Sequence, residues 1–275
     1  MTGSAAAESA KINGSDIYYE TLGDGPPILM MHGGLGFSHD YLQPYFDRLA
    51  ESHTVIYYDH LGNGRSARPD DYAELTFDRM VSDAAGLMAH LGHEKFTLIG
   101  HSYGGFVAQA FAAQKADLLD GLILLDTVPA LDYKPNMAGN EQQMAAFGRM
   151  FSGPMTNNDE WRKTWTTAVQ MYFHRWDDAV GAALDEATVY EYRAWNVSGA
   201  LLKDFNLLSA LPGIQTPTLV ISGRHDGITP PGPGTERIAA LLPNAELVIL
   251  EDSGHYPFIE QQDAFFKALQ SWLAR

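Results

Sequence analysis

The sequence contains no cysteine. That removes disulfides, thiolate-bound zinc and a cysteine nucleophile, and leaves oxygen and nitrogen as the reactive side-chain atoms. Basic residues are scarce as well: 18 lysines and arginines stand against 34 aspartates and glutamates, a formal net charge of −16. A surface of that sign repels a phosphate backbone and an anionic leaflet alike, and no Lys/Arg cluster offers a local exception, so neither nucleic acid nor membrane is an expected partner. No run approaches the roughly eighteen apolar residues of a membrane-spanning helix. The opening MTGSAAAESAK has neither the basic nor the apolar region of a signal peptide, so the expectation is a soluble cytoplasmic protein. Internal repeats and low-complexity tracts are missing too.

What the chain does have is apolar material, 45% over 275 residues, enough for one large domain with an insertion. Short apolar runs bounded by turn residues recur: DIYYETL, PPILMMHG, TVIYYDHLG, FTLIGHS, GLILLDT, PTLVISGRHD and AELVILEDSGH. These read as strands. TFDRMVSDAAGLMAHLG, GGFVAQAFAAQ and DAFFKALQSWLAR have helical length and period. Strands alternating with helices predict an α/β fold with a mostly parallel sheet covered on both faces. The alternation stops over residues 128–205, where helical patterns dominate; the expected organisation is a core of residues 1–127 and 206–275 with a helical cap inserted. Apolar residues at 161, 165, 169, 172 and 176 mark one helix face, which either packs on the core or lines a substrate pocket.

The informative stretch is KFTLIGHSYGGFVAQAFA, where Ser102 stands between a predicted strand and a predicted helix with glycine two positions either side. G-x-S-x-G in that context is a nucleophile turn: glycines 100 and 104 make room, and the serine hydroxyl projects at the carboxyl end of the strand. A serine needs a base, and the base needs a carboxylate to orient it. Asp226 and His255 each follow a strand, in the order serine, acid, histidine. Asp126, which ends LILLD, is the rival acid. His101 and His225 are poorly placed as bases, and Asp252 reads as a cap. An oxyanion needs two donors; HGGLG supplies Gly34, and the backbone N–H of Tyr103 opens the helix after the serine. His32 is expected to brace that loop. The G-x-G of LGNGRS lacks its third glycine, and His90 and His93 have no accompanying carboxylate, so neither a nucleotide nor a metal site is expected.

These motifs resemble those of the α/β-hydrolase superfamily, and within it the proline iminopeptidases. HGGLGFSHDYL is similar to that branch's H-G-G-P-G segment, YYDHLGNGRS to its Y-D-Q-x-G-x-G-x-S, and GHSYGG to its G-x-S-[WY]-G-G; Leu35 and His60 replace its usual proline and glutamine. The resemblance implies Ser102 as nucleophile, Asp226 as acid, His255 as base, Gly34 and Tyr103 as oxyanion donors, and no cofactor. It also implies that acidic cap residues hold a substrate amine, for which Glu186 and Glu191 are the candidates, with Trp195 a further candidate substrate contact. The expected activity is that of a proline iminopeptidase-like aminopeptidase on small substrates such as short peptides, with carboxylesterase or lactonase action on a small ester or lactone as the alternative. A ligand receptor that keeps the triad is the alternative from another class. Oligomeric state is not specified by these patterns.

Overall fold

The computed structural model describes residues 6–275; the first residues of the small polar N-terminus lie outside them. Eight strands form one sheet: β1 (Ala6–Ile12), β2 (Ser15–Leu22), β3 (Pro27–Met31), β4 (Thr54–Tyr58), β5 (Phe96–His101), β6 (Leu119–Leu125), β7 (Thr218–Gly223) and β8 (Ala245–Leu250). Their order is β1-β2-β4-β3-β5-β6-β7-β8. The pairings β1–β2 and β2–β4 are antiparallel, and those from β4 to β8 are parallel. The helices are α1 (Gln43–Phe46), α2 (Phe77–His90), α3 (Tyr103–Lys115), α4 (Glu141–Phe151), α5 (Asn158–Ala168), α6 (Asp178–Ala187), α7 (Tyr192–Leu202), α8 (Arg237–Leu241), α9 (Pro257–Glu260) and α10 (Gln262–Leu273).

The period-2 geometry of a strand explains how the apolar runs build two cores at once. In β3, Leu29 and Met31 point to one face of the sheet, where Leu87, Val107 and Phe111 of α2 and α3 cover them. Ile28 and Met30 point to the other, against Phe46, Phe258, Phe265 and Leu269. Because both faces are buried, the strand reads as a continuous apolar run. No helix among the described residues is long and apolar enough to cross a membrane.

β1 was not legible as a strand, since AAESAKI is rich in small residues of weak strand propensity. It forms because Asn13 and Gly14, both at positive φ (47° and 85°), turn the chain back so that β1 pairs with β2 along its length; an Asn-Gly pair between two runs is the available signal.

Four helices, α4 to α7, lie between β6 and β7. The insertion leaves and re-enters the core side by side, with Ala130 bridged to Asn206 and Leu207 N–H donating to Pro129 O at 2.8 Å. The helical face expected from 161 to 176 is shorter than its pattern: α5 ends at Ala168, a tight turn covers Val169–Tyr172, and Trp176 lies beyond it. Trp161 is fully buried in a cluster with Phe37, Met150, Met155 and Ala168.

Candidate active site

Ser102 occupies the tight turn between β5 and α3 at φ 55° and ψ −118°, a conformation that a non-glycine residue adopts only under constraint. The constraint is visible: Ser102 N–H donates to Leu125 O at 2.9 Å, and Ser102 O accepts from Gly105 N–H and from Thr127 Oγ1. A Cβ at Gly104 would fall on the carbonyl oxygens of Met31 and His32, and one at Gly100 would press on Gly104 O. Helix α3 can therefore approach β3 and β5 only with glycine at these positions.

His255 and Asp226 come from the loops after β8 and β7. His255 Nδ1 lies 2.8 Å from Asp226 Oδ2, and both residues are buried. Asp226 is saturated: Oδ1 accepts from Ile228 N–H (2.9 Å) and Thr229 N–H (3.0 Å), while Oδ2 also accepts from Thr229 Oγ1 (2.5 Å). Burial alone would raise its pKa. The neighbouring His255 charge, with the hydrogen bonds from His255 and Thr229, outweighs burial and holds the carboxyl below its usual range. The fully bonded carboxylate orients the His255 ring through Nδ1 and leaves Nε2 as the nitrogen that can take a proton.

Asp126 is also drawn in. It sits at φ 44° after β6, fully buried, and its Oδ1 accepts from Gly223 N–H while Oδ2 has no partner. Burial, then the nearby Asp226 charge, push its pKa well up, opposite to the direction at Asp226. Asp126, Asp226 and His255 each place a donor atom within 4.8 Å of the others, forming the one such metal-donor cluster among the described residues. The Asp226 and His255 atoms are already bonded to each other.

The glycine loop after β3 supplies the candidate oxyanion donors. Gly33 N–H is engaged by Tyr41 Oη (2.7 Å) and Gly36 N–H by Asn63 Oδ1 (2.7 Å). Gly34 lines the same cavity as Ser102 and Tyr103. Its φ of +51° and the Phe37 ring lying where a Cβ would go both require glycine. His32 braces the loop, donating from Nδ1 to Gly33 O at 2.9 Å and accepting from His60 N–H.

Sequence reasoning missed a buried chain linking these parts. His101 Nε2–H donates to His255 O (3.0 Å), so Nδ1 accepts from Tyr41 Oη (2.6 Å), which itself accepts from Gly33 N–H. Burial, then the His255 charge, lower the His101 pKa to about 3, so the ring stays neutral. Sixty residues separate Tyr41 from His101, and no local pattern announces the pair.

The cavity at Ser102 holds about 210 Å3. Trp165, Trp195 and Leu202 of the inserted helices line it together with Phe37, Phe106, Tyr133 and His255. Trp195 lines the cavity. Glu186 and Glu191 do not, and no aspartate or glutamate does. Glu186 is exposed. Glu191 is buried as the cap of α7, accepting from Arg68 Nε (2.9 Å) and from Arg193 Nε (2.7 Å) and Nη2 (3.0 Å). The expectation that these glutamates face a substrate amine is corrected on that ground, and Arg193 two residues on was the available warning.

Residues 26–262 match the family described as alpha/beta hydrolase fold. The chain belongs to that family and is a hydrolase of the proline iminopeptidase-like kind. It is 30% identical to a proline iminopeptidase of Pestalotiopsis fici, over 98% of this chain and 99% of the relative. To a proline iminopeptidase of Lactobacillus helveticus it is 29% identical, over 94% and 95%. Among solved structures, an esterase from Thermogutta terrifontis is similar at 27% identity with a TM-score of 0.75, covering 98% of each chain.

Proposed function

We propose that the chain hydrolyses small uncharged esters or lactones with an apolar acyl group through an acyl-enzyme on Ser102. The observation that carries this reading is the cavity wall at Ser102, which is mostly aromatic and aliphatic, carries hydroxyls such as those of Thr188 and Ser198, and has no carboxylate in it. A buried ammonium without an anionic partner is costly, whereas an apolar acyl group gains from burial there.

In this mechanism His255 Nε2 takes the Ser102 proton as Oγ attacks the acyl carbon, and Asp226 holds the imidazole in the required tautomer and stabilises the imidazolium. The carbonyl electron pair moves onto oxygen, which the Gly34 and Tyr103 N–H groups receive. Collapse expels the alcohol, which takes the proton from His255; water, activated by His255, then attacks the acyl-enzyme and releases the acid.

The proline iminopeptidase relatives favour a second reading, aminopeptidase action. The two are separated by kcat/KM for p-nitrophenyl butyrate and proline p-nitroanilide measured side by side. Ester turnover with at most trace anilide turnover is expected; the reverse order would establish the aminopeptidase. Stoichiometric cleavage without turnover would instead favour the receptor.

A further inference from the structure

The loop that carries Gly34 is gripped from two sides. The core side is ordinary: Tyr41 and Asn63 take the N–H groups of Gly33 and Gly36, and Gly64 N–H donates to Phe37 O at 3.1 Å. The other grip comes from the inserted helices. Gly36 O accepts two hydrogen bonds, from the indole Nε1–H of Trp161 (3.1 Å) and the backbone N–H of Glu191 (3.0 Å). Val189 N–H donates to Ser38 Oγ at 3.0 Å.

Phe37 leaves the loop altogether and enters the insertion's aromatic cluster, its ring centroid 5.2 Å from Trp161 and 4.6 Å from Trp165. The back of that ring lies directly on Gly34. Trp161 in turn stacks at 4.3 Å on Trp195, which faces the cavity. A carbonyl with two donors and a buried ring are not released cheaply: each lost hydrogen bond leaves a buried polar group unpaired, and the ring alone buries on the order of 150–250 Å2.

From this we infer that the inserted helices are part of the oxyanion hole's scaffold. Trp161, through Gly36 and Phe37, is a positioning residue that holds the Gly34 N–H toward the reacting oxygen. The inference rests on the reading of Gly34 as an oxyanion donor. It goes beyond substrate binding, since it makes the insertion a determinant of kcat as well as of specificity. Movement of these helices away from the core would dismantle the hole, so substrate enters and product leaves with them in place. Leu131 and Phe151, both exposed, line the cavity.

The test uses Trp161→Phe, which keeps a ring and removes the indole N–H, with Phe37→Leu as the second variant. Two properties are read. The first is hydrogen exchange across residues 33–38, with β5 as the reference for global opening; it is independent of any activity. The second is reaction of Ser102 with a fluorophosphonate and with p-nitrophenyl butyrate. The inference predicts exchange in the loop about tenfold faster while β5 is unchanged, and kcat and phosphonylation rate both down about tenfold with KM within about twofold, a fraction of the full loss of one oxyanion donor.

Unchanged loop exchange in the folded variants overturns it, as does wild-type kcat alongside loosened exchange. If Trp161→Phe also loses β5 protection, Phe37→Leu decides by the same criteria. Failure of the wild-type chain to react with either reagent would instead sink the hydrolase mechanism at Ser102, and the exchange result would still decide whether the insertion holds the loop.

Discussion

Replacing Asp226 with asparagine changes one atom of the carboxylate, and the hydrogen bonds around it dictate the consequence. Two backbone N–H groups, from Ile228 and Thr229, point at Oδ1 and cannot turn away. The asparagine must therefore present its carbonyl to them and place its NH2 where Oδ2 was, facing His255 Nδ1 and Thr229 Oγ1. His255 Nδ1 then becomes an acceptor, its proton moves to Nε2, and the nitrogen that should take the Ser102 proton carries one already. In a Ser-His-Asp triad this tautomer switch costs about 10^4 in kcat, or about 5.5 kcal/mol at about 1.4 kcal/mol per tenfold. The site loses little packing, so Tm should stay near that of the wild type. The assay is kcat on p-nitrophenyl butyrate at neutral pH for Asp226→Asn and, in parallel, Asp126→Asn. The reasoning is refuted if Asp226→Asn stays within tenfold of wild type while Asp126→Asn loses activity, for then the unpaired Oδ2 of Asp126 orients His255.

Two other substitutions test the electrostatics and the packing. Asp126 has a folded-state pKa raised above its unfolded value; its contribution to stability is complete below the unfolded pKa, near pH 4, and declines as pH rises toward the folded pKa. Asp126→Asn keeps the neutral shape and the acceptor for Gly223 N–H, so the Tm difference, variant minus wild type, should grow from pH 5 to pH 9; a difference independent of pH would contradict a neutral Asp126. Gly104→Ala forces a methyl group onto two backbone carbonyls of the β3 end, and overpacking of this kind costs about 1–3 kcal/mol. A thermal melt should show a lowered Tm together with reduced ester turnover, and an unchanged melt would mean that α3 can back away from β3.

Much of this fold was readable because its chemistry is local. The central parallel strands β3 to β7 are largely buried on both faces and declare themselves as apolar runs; Ser102 declares itself through Gly100 and Gly104, which the close approach of α3 requires. The serine, acid and histidine could be proposed because each follows a strand, and parallel strands put those loops at one edge of the sheet. What stayed hidden depends on three-dimensional neighbours. β1 owes its existence to pairing with β2, and α5 ends before Trp176 despite an uninterrupted apolar period. Glu191 looked like an available carboxylate because Arg68, which neutralises it, lies more than a hundred residues away. The Tyr41–His101 link and the two donors on Gly36 O likewise join segments distant in the chain. Neither the Tyr41–His101 link nor the pair of donors on Gly36 O leaves a spacing signature.

The central claim, that Ser102 forms a covalent acyl intermediate, is tested most directly by intact-mass measurement. The protein is rapidly acid-quenched during turnover of p-nitrophenyl butyrate, and separately after fluorophosphonate treatment, with peptide mapping of any adduct. The account predicts one butyryl or phosphonyl group per chain, located on Ser102, and none on Ser102→Ala. An adduct on another residue, or undiminished ester turnover by Ser102→Ala, would contradict it.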